Sequence, residues 1–425
     1  MSQYRAYPAY KDSGIEWIGQ VPEHWKVARV KRLASLRNER RNDVSTDTIY
    51  IGLEDVEAGS GQYKPTNGSS RQSEDSTVGI FYEGDVLYGK LRPYLRKAII
   101  SEMAGCCSTE FLVLRAEKTE PRWLQEWLLT PDVTHQIESG CEGAKMPRAD
   151  WGHIGSIEVV YPDQPEQAKI LTTLDRETAR IDALVEKKNR FIELLKEKRQ
   201  ALITHAVTKG LDRNAKMKDS GVEWIGQVPE HWDVKPFFAL VTELNRKNVG
   251  LVETNILSLS YGNIIQKPEN RNMGLTPESY ETYQIVESGE IVFRFTDLQN
   301  DKRSLRSAQV TQRGIITSAY MAVKPHSIDS TYFSWLMRSY DLCKVFYAMG
   351  GGLRQSLKFE DVRRLPVLIP PVDEQSEITN IINAGTARID ALVEKTEQSI
   401  TLLKERRAAF ITAAVTGQID LRGKQ

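Results

Sequence analysis

The chain has 425 residues, equal numbers of basic and acidic side chains (57 of each), and a hydrophobic fraction of 40%. This length predicts two or more domains, and a net charge of zero excludes a uniformly basic, histone-like protein but not local basic patches. No apolar run is long enough for a transmembrane helix, the N-terminal segment has no apolar leader, and the four cysteines form no CxxC pair. We therefore expect a cytoplasmic protein that does not enter a membrane.

The first predicted element, residues 11–27, is one of two copies of the same segment. It reads KDSGIEWIGQVPEHWKV, and residues 218–234 repeat it with 15 of 17 positions identical. A second block, residues 178–212, recurs at 386–420 with 23 of 35 positions identical. Chance does not produce such identities, so the sequence predicts an internal duplication. Residues 1–27 are assigned as an N-terminal segment that carries the first repeat block.

Residues 28–162 are predicted to form the first of two β-rich domains. Short β-prone runs, such as GIFYEGDVLYG at 79–89 and FLVLRA at 111–116, alternate with turn residues. This pattern indicates a mixed α/β domain with a substantial sheet. The run PRWLQEWLL at 121–129 is predicted to be a helix.

A long helix is predicted next, within residues 163–212. Apolar residues, among them Leu184 and Phe191, recur at 3-4 spacing over more than four heptads. Such an a/d stripe indicates a helix that packs on a partner helix. A continuous helix from Glu166 to Val207 would be about 63 Å long at roughly 1.5 Å per residue.

The second half repeats this order. Residues 213–234 form a connector with the second repeat block, 235–370 a second domain, and 371–425 a second long helix. Gly84-Asp85 in the first domain parallels Gly289-Glu290 in the second, so the two domains are predicted to share a fold. Related halves pack most readily about a two-fold axis, which favours antiparallel helices over helices that pack separately on their own domains. The predicted fold class is α+β: two β-rich mixed α/β domains joined by two long antiparallel coiled-coil helices, with a pseudo-two-fold internal repeat.

Motifs for catalysis and metal binding are missing. Residues 84–91 approach the P-loop pattern GxxxxGK[ST], but Leu91 has no hydroxyl group and Pro93 would block the helix that follows such a loop. The sequence has no GxGxxG after a strand, no amino-methyltransferase motif and no HExxH. His24 and His231 recur within PEHW, where packing of the repeats explains them better than catalysis. We therefore predict no catalytic residue, metal site or cofactor in this chain.

Basic residues cluster in loops of both domains. Segments 88–97 and 302–313 carry basic side chains without an acid, and the glycine-bearing loops 143–148 and 350–358 add others. Such side chains can neutralise phosphates or bond to guanine edges, so we interpret them as candidate DNA contacts. The candidates are Tyr88, Lys90, Arg92, Tyr94, Arg96, Lys97, Lys145, Arg148, Arg294, Lys302, Arg303, Arg306, Arg313, Arg354 and Lys358.

The repeated blocks resemble the specificity subunits of type I restriction–modification systems. The resemblance rests on SGIEWIGQVPEHW, on the proline and Glu-Gln pair that open each long helix, and on LLKEKRQALITHAVTKGLD. It covers nearly the whole chain, including the order of domains. The second copy, with Val415-Thr416-Gly417, is closer to the family pattern than the first, which has Lys209-Gly210 where the second has Gly417-Gln418.

This resemblance implies a division of labour. The two domains would be target recognition domains, each reading one half of an asymmetric bipartite sequence in double-stranded DNA, and the helices would set the gap. Two modification subunits would bind the chain, carry S-adenosylmethionine and methylate adenine N6. Restriction subunits would join and translocate DNA with ATP and magnesium, while this chain would be non-catalytic.

Two alternatives remain open at this stage. One is a stand-alone bipartite DNA-binding regulator, which would have no enzyme partner. The other is a structural coiled-coil scaffold, which would show no salt-dependent DNA binding.

Overall fold

The computed structural model describes residues 5–45, 47–65, 76–141, 143, 145–267, 279–301, 304–349 and 356–423. The chain divides into two compact units. Unit 1 comprises Met1–Lys188 and Gln398–Gln425, and unit 2 comprises Asn189–Glu397. Because the division falls inside both long helices, each unit contains one α+β domain, one repeat block and a part of each helix.

Helices in the described residues range from 4 to 46 residues in length. They are α1 (Pro121–Leu129), α2 (Pro131–Glu138), α3 (Trp151–Ser156), α4 (Gln164–Lys209), α5 (Ser330–Leu342), α6 (Val345–Met349), α7 (Phe359–Val362) and α8 (Val372–Val415).

The strands are short, as expected for a chain rich in turn signals. Those of unit 1 are β1 (Tyr10–Asp12), β2 (Gln20–Pro22), β3 (Lys26–Arg29), β4 (Ala34–Leu36), β5 (Arg40–Arg41), β6 (Tyr50–Ile51), β7 (Val78–Phe81), β8 (Val86–Gly89), β9 (Ala98–Ile100), β10 (Gly105–Cys107), β11 (Phe111–Ala116) and β12 (Glu158–Tyr161). Those of unit 2 are β13 (Met217–Asp219), β14 (Gln227–Pro229), β15 (Asp233–Pro236), β16 (Val241–Leu244), β17 (Leu257–Ser260), β18 (Asn263–Gln266), β19 (Gln284–Val286), β20 (Ile291–Phe293), β21 (Ser307–Gln309), β22 (Gly314–Ile316), β23 (Met321–Pro325) and β24 (Pro366–Ile369).

The two domains contain four-stranded sheets of equivalent order. The order is β4-β11-β8-β9 in unit 1 and β16-β23-β20-β21 in unit 2, with antiparallel neighbours throughout. In both units the first strand of the domain pairs with the strand before the long helix, β3 with β12 and β15 with β24. The prediction of a shared fold is confirmed.

The second sheet also follows the same order in both domains. Unit 1 has the four-stranded sheet β5-β7-β10-β6, and unit 2 pairs β19 with β22 and flanks them with single bridges, Lys247 to Gln284 (antiparallel) and Ile256 to Ile315 (parallel). The β17–β18 hairpin is a two-stranded sheet of unit 2. The domains thus differ in their loops and hairpins more than in their sheets.

The long helices lie close to their predicted spans, with α8 at Val372–Val415. Helix α4 begins two residues before Glu166 and ends two after Val207. A glycine follows each helix, Gly210 with φ +72° and Gly417 with φ +74°, a conformation that a residue with a Cβ adopts only at a cost. The predicted long helices are confirmed.

The helices run antiparallel within each unit. In unit 1, Arg407 of α8 forms an ion pair with Asp182 of α4 at 2.9 Å. In unit 2, Arg199 of α4 pairs with Asp390 of α8, also at 2.9 Å. Asp182 and Asp390 occupy equivalent repeat positions, as do Arg199 and Arg407, so one contact is made twice by the duplicated sequence. The Gly385 backbone lies against Leu202, consistent with the same helix direction in unit 2.

Two residues of the predicted apolar stripe are not core residues. Leu184 and Phe191 are 43% and 44% exposed, whereas Ile170 and Leu174 are fully buried. Ile170 and Leu174 lie in a core that also contains Phe410 of α8 and parts of the domain and repeat block. A helix that packs only on a partner helix buries a narrower stripe than a helix that also packs on a domain. The middle of α4 lacks the contacts with the domain and repeat block that bury Ile170 and Leu174.

Each repeat block docks onto the beginning of one long helix. The carboxylate of Glu166 accepts hydrogen bonds from the Trp25 indole at 3.1 Å and from the Tyr7 hydroxyl at 3.0 Å, and lies 2.7 Å from His24 Nε2. In unit 2, Glu374 pairs with the same two motif residues, His231 at 2.7 Å and Trp232 at 3.1 Å. The recurrence of PEHW is therefore explained by packing.

The glycine after each long helix packs against the same motifs. A Cβ atom on Gly417 would meet Pro22 and Trp25 of the first block, and one on Gly210 would lie 3.4 Å from Trp232 of the second. Each block thus holds the beginning of one long helix beside the end of the other, within a single unit.

Candidate nucleic-acid interface

The two basic loops predicted in the first domain lie side by side. The backbone amide of Arg92 donates to the carbonyl of Pro147 at 2.8 Å, and the amide of Ala149 donates to the carbonyl of Lys90 at 2.9 Å. These bonds join two segments that are more than fifty residues apart in sequence. We name the resulting surface the first basic patch: Lys90, Arg92, Tyr94, Arg96, Lys145 and Arg148.

A tight turn presents part of this patch. Arg92 and Arg96 flank the single 3₁₀ turn Pro93–Leu95 and both have left-handed backbones, with φ of 53° and 48°. Such a conformation costs a residue other than glycine about 1–3 kcal/mol and is concentrated at functional sites. Tyr94 lies within the turn and is 49% exposed. The loop therefore holds two cations and an aromatic ring at the surface in a constrained geometry.

Arg148 is exposed and carries its own counterion. Its guanidinium donates two bonds of 3.2 Å to the Glu110 carboxylate. The hydrogen bond to Glu110 raises the pKa of Arg148 above its usual value. A phosphate at this position would have to compete with the carboxylate.

Two candidates of the first domain occupy structural positions instead. Tyr88 is fully buried in β8, and burial raises the pKa of its hydroxyl far above the usual range. Its side chain cannot contact DNA unless the domain rearranges. Lys97 is half-buried and its Nζ donates to the carbonyl of Leu53 at 2.6 Å, so it fastens one loop to another.

The second domain brings fewer candidates together. The amide of Leu357 donates to the carbonyl of Phe295 at 3.0 Å, which places Arg294 and Lys358 on adjoining segments. Lys358 is exposed, and Arg294 is half-buried with a guanidinium nitrogen 3.9 Å from Asp301. The candidates Lys302, Arg303 and Arg354 lie outside the described residues.

Arg306 is a core residue, contrary to the prediction that it contacts DNA. Its side chain is fully buried, and its guanidinium donates to the carbonyl of Thr296 at 2.9 Å and to that of Asp297 at 3.3 Å. These backbone acceptors hold the charge inside the domain. Arg313 is exposed but ion-paired, with Glu253 at 3.1 Å and Glu287 at 3.7 Å, so its charge is largely balanced within the protein.

The P-loop-like segment is a turn followed by a strand. Asp85 accepts bonds of 2.8 Å from Arg37 Nε and from the Tyr82 amide, and β8 follows directly. Glu290 makes the equivalent turn in unit 2, with Arg246 as its partner. The paired Gly-acid motifs therefore shape the domain and do not form a phosphate-binding loop.

Arg338 of unit 2 was missed by the sequence analysis. It lies on α5 with 9% of its surface exposed and lines a polar cavity. Arg338 and Asp341 are the charged residues of α5, whose other side chains are uncharged. An isolated arginine on such a helix is the signal that could have identified it.

Neither a metal cluster nor a membrane span is found in the part of the chain that the structure describes. No three His, Cys, Asp or Glu side chains of this part come together as metal ligands. None of its helices combines the length and apolar composition needed to cross a bilayer.

The geometry defines a duplicated α+β protein whose domains carry basic loops and whose repeated blocks clamp antiparallel helices. No family model matches the chain. It is 22% identical over 205 residues to the type I restriction enzyme EcoDI specificity subunit of Escherichia coli, a match that spans 47% of this chain and only 46% of that protein. It is 20% identical over 451 residues to the type I restriction enzyme MjaIX specificity subunit of Methanocaldococcus jannaschii, covering 99% of this chain and 98% of that protein.

Solved structures show the same fold. A chain from a type I restriction–modification system is similar with a TM-score of 0.66 and 15% identity, over 93% of this chain and 98% of that one. The HsdS subunit of Thermoanaerobacter tengcongensis is similar with a TM-score of 0.54 and 17% identity, over 94% and 98%. The comparisons confirm the resemblance to type I specificity subunits and the predicted fold class.

Proposed function

We propose that this chain is the DNA-binding specificity subunit of a type I restriction–modification system. The observation that supports this most directly is the first basic patch, in which two distant loops present cations and an exposed tyrosine from a constrained turn. Clustered cations neutralise DNA phosphates and release counterions, which makes such surfaces suited to nucleic acid. The relatives and the fold are consistent with this role.

In this proposal each domain reads one half of an asymmetric bipartite target. The shared sheets provide equivalent supports, while the basic loops and the β17–β18 hairpin differ between the domains. Unlike surfaces on related frames would recognise unlike half-sites. Because α4 and α8 are continuous helices, they would set a fixed number of base pairs between the half-sites.

The chemistry would reside on partner subunits. Two modification subunits would bind this chain, carry S-adenosylmethionine and methylate adenine N6, and restriction subunits would add ATP- and magnesium-dependent translocation. The chain itself would contribute binding and no catalytic step, in the cytoplasm where the DNA is. Methylation requires the adenine to leave the stack, so the recognition domains would also have to accept distorted DNA.

Co-purification with a tagged chain from its host tests the partnership. The proposal expects a DNA methyltransferase to be recovered with the chain and expects N6-methyladenine at an asymmetric split motif in the host genome. Deletion of the gene that encodes the chain should abolish this methylation. A chain that binds a split site without any methyltransferase would instead be a regulator, and a chain without salt-dependent DNA binding would be a scaffold.

A further inference from the structure

The loop that carries part of the first basic patch has an equivalent in unit 2. It joins β8 to β9 in unit 1, and the corresponding loop joins β20 to β21 in unit 2. The amide of Gly89 donates to the carbonyl of Lys97 at 2.8 Å and closes the first loop. The amide of Arg294 donates to the carbonyl of Arg306, also at 2.8 Å, and closes the second. The two loops therefore begin and end at equivalent positions.

Each loop is also bonded to the same neighbouring segment of its domain. In unit 1 the amide of Ala149 donates to the carbonyl of Lys90 at 2.9 Å. In unit 2 the amide of Leu357 donates to the carbonyl of Phe295 at 3.0 Å. Lys90 and Phe295 each come directly after the residue whose amide closes the loop. Two independent contacts thus give the same alignment of the loops.

The two loops turn at the same aligned position. Arg92 and Asp297 both have left-handed backbones, with φ of 53° and 57°. The residue that follows is buried in each domain, Pro93 in unit 1 and Leu298 in unit 2. Left-handed backbones are uncommon for residues other than glycine, so this recurrence indicates one turn that both domains share.

The side chains that these turns expose differ in chemistry. Unit 1 presents the cation Arg92 and the aromatic ring of Tyr94. At the aligned positions unit 2 presents the carboxylate of Asp297 and the amide of Gln299. A carboxylate is repelled by DNA phosphates and accepts hydrogen bonds from amino groups of bases. The second turn is therefore suited to base edges rather than to the DNA backbone.

Contacts within the domain hold the second turn in place. The buried guanidinium of Arg306 donates to the carbonyls of Thr296 and Asp297 at 2.9 and 3.3 Å. The side-chain amide of Asn300 donates to the Asp297 carboxylate at 2.7 Å. Because these bonds already constrain the turn, Gln299 is presented to a ligand at a small cost in conformational entropy.

The side chain of Gln299 is available for such a ligand. It is exposed and forms no hydrogen bond within the part of the chain that the structure describes. Its amide therefore keeps two donors and one acceptor. The exposed Lys358 directly follows Leu357, which is bonded to the loop, and so lies beside it. Lys358 can neutralise a phosphate while the turn reaches the bases.

We propose that Gln299 reads an adenine in the half-site of the second domain, an inference that rests on the proposed function. The amide of glutamine donates to adenine N7 and accepts from adenine N6, whereas guanine offers two acceptors at the same edge. Asp297 would accept from the amino group of a neighbouring base. The two equivalent turns would thus differ in role, because the first neutralises phosphates and the second reads bases.

Selection from a pool of random duplex DNA tests this assignment, with the full-length chain purified together with the subunits that accompany it. The wild type should select a split motif. Gln299→Ala should lose about tenfold in discrimination at one adenine of one half-site and leave the other positions unchanged. Gln299→Glu should favour cytosine there, since a carboxylate accepts from cytosine N4. The control Gln312→Ala, exposed beyond the other end of β21, should select the wild-type motif.

Asp297→Asn gives a second readout that does not depend on the selected motif. Asparagine tolerates the left-handed backbone, so this change removes the charge and keeps the turn. Affinity for non-specific duplex DNA should rise for Asp297→Asn, most strongly at low salt, and should fall for Arg92→Gln at the aligned position of unit 1. Equal shifts of the same sign would contradict the different roles of the two turns.

The proposal is overturned if the wild type selects a split motif and both Gln299 variants select the same one. It is also overturned if the affected position holds a base other than adenine, or if discrimination is lost in both half-sites. Because Gln299 is exposed, its variants should unfold at the wild-type temperature. A wild-type chain that selects no motif would reject the proposed function, and this inference with it.

Discussion

Glu166 and Glu374 occupy equivalent positions at the beginning of the long helices, and each accepts hydrogen bonds from a PEHW motif. Glu166 is 7% exposed and contacts His24 and Trp25 of its motif and also the Tyr7 hydroxyl, which lies outside it. The neighbouring Gln167 bonds to the backbone of Glu120 and of Pro162, as Gln375 does to Asp329 and Pro370. The Glu-Gln pair is thus a structural anchor for a repeat block on one side and a domain on the other.

Removing this anchor should destabilise unit 1. Glu166→Ala leaves the buried Trp25 N–H without an acceptor, which costs about 1–3 kcal/mol of unfolding free energy. Glu166→Gln keeps an acceptor oxygen and should lose less. Denaturant unfolding followed by tryptophan fluorescence measures both, with the exposed Glu186→Ala on the same helix as control. Equal stability of Glu166→Ala and the control would show that the anchor is dispensable.

The basic residues separate into surface and interior groups that sequence could not distinguish. Loops rich in arginine and lysine were identifiable from composition, but the contact between segments 88–97 and 143–148 was not. That these residues bind DNA stays a prediction. The burial of Tyr88 was not identifiable either, because all four residues of β8 are covered and no alternation marks an exposed face. The burial of Arg306 depends on backbone carbonyl groups that accept hydrogen bonds from its guanidinium. Composition does not predict the loop conformation that presents these groups.

Charge removal in the first basic patch should weaken DNA binding at every sequence. Arg92→Gln retains the length of the side chain and should lower affinity while reducing the salt slope by about one, since one phosphate contact is lost. Arg115→Gln is the matched control: it is exposed near the opposite end of β11, about 13 Å along the strand from the end next to this patch. Fluorescence anisotropy across a salt series would contradict the assignment if both variants behaved alike.

At the scale of elements, the duplicated ion pairs fix how α4 and α8 align within each unit. Heptad spacing in the sequence was sufficient to predict two long helices, and the duplication of the chain predicted their antiparallel pairing. The spacing alone did not identify which stripe residues are buried, because the domains and repeat blocks bury the residues at the helix ends. Leu184 and Leu392, equivalent in the repeat, are both exposed to about the same degree, 43% and 39%.

Side chains of the predicted stripe should therefore differ in their contribution to the free energy of unfolding. Leu174→Ala should cost about 2–5 kcal/mol, as expected for a large-to-small change in a filled core, whereas Leu184→Ala should cost much less. Thermal unfolding of the two variants, which make the same chemical change on one helix, gives the comparison. Comparable losses would mean that Leu184 is buried in solution.

The ion pair between Asp182 and Arg407 should contribute modestly to helix alignment. Arg407 is largely buried while Asp182 is half exposed, so we expect a coupling of about 0.2–1 kcal/mol that weakens as salt is added. A double-mutant cycle with Asp182→Asn and Arg407→Gln measures it. A coupling of zero at low salt would indicate that the contact does not stabilise the pair.

At the scale of the whole molecule, duplication explains most of what could be predicted. Identical blocks require equivalent packing, so the order of elements and the fold class followed from the repeats. The divergent domains were predictable as β-rich and as sharing a fold, but their strand order was not, because it arises from long-range pairing between short runs. The cavity beside Arg338 was not predictable, since it depends on contacts among α4, α5, α8 and a hairpin.

The proposed function is tested most directly by changing the length of both helices together. Removing seven residues from the middle of α4 and seven from the middle of α8 shortens each helix by about 10 Å, equivalent to about three base pairs of DNA. The variant and the wild type would be expressed with the modification subunits, and N6-methyladenine mapped across a genome by single-molecule sequencing. We expect the same two half-site sequences separated by a gap about three base pairs shorter. An unchanged gap with active methylation would contradict the account.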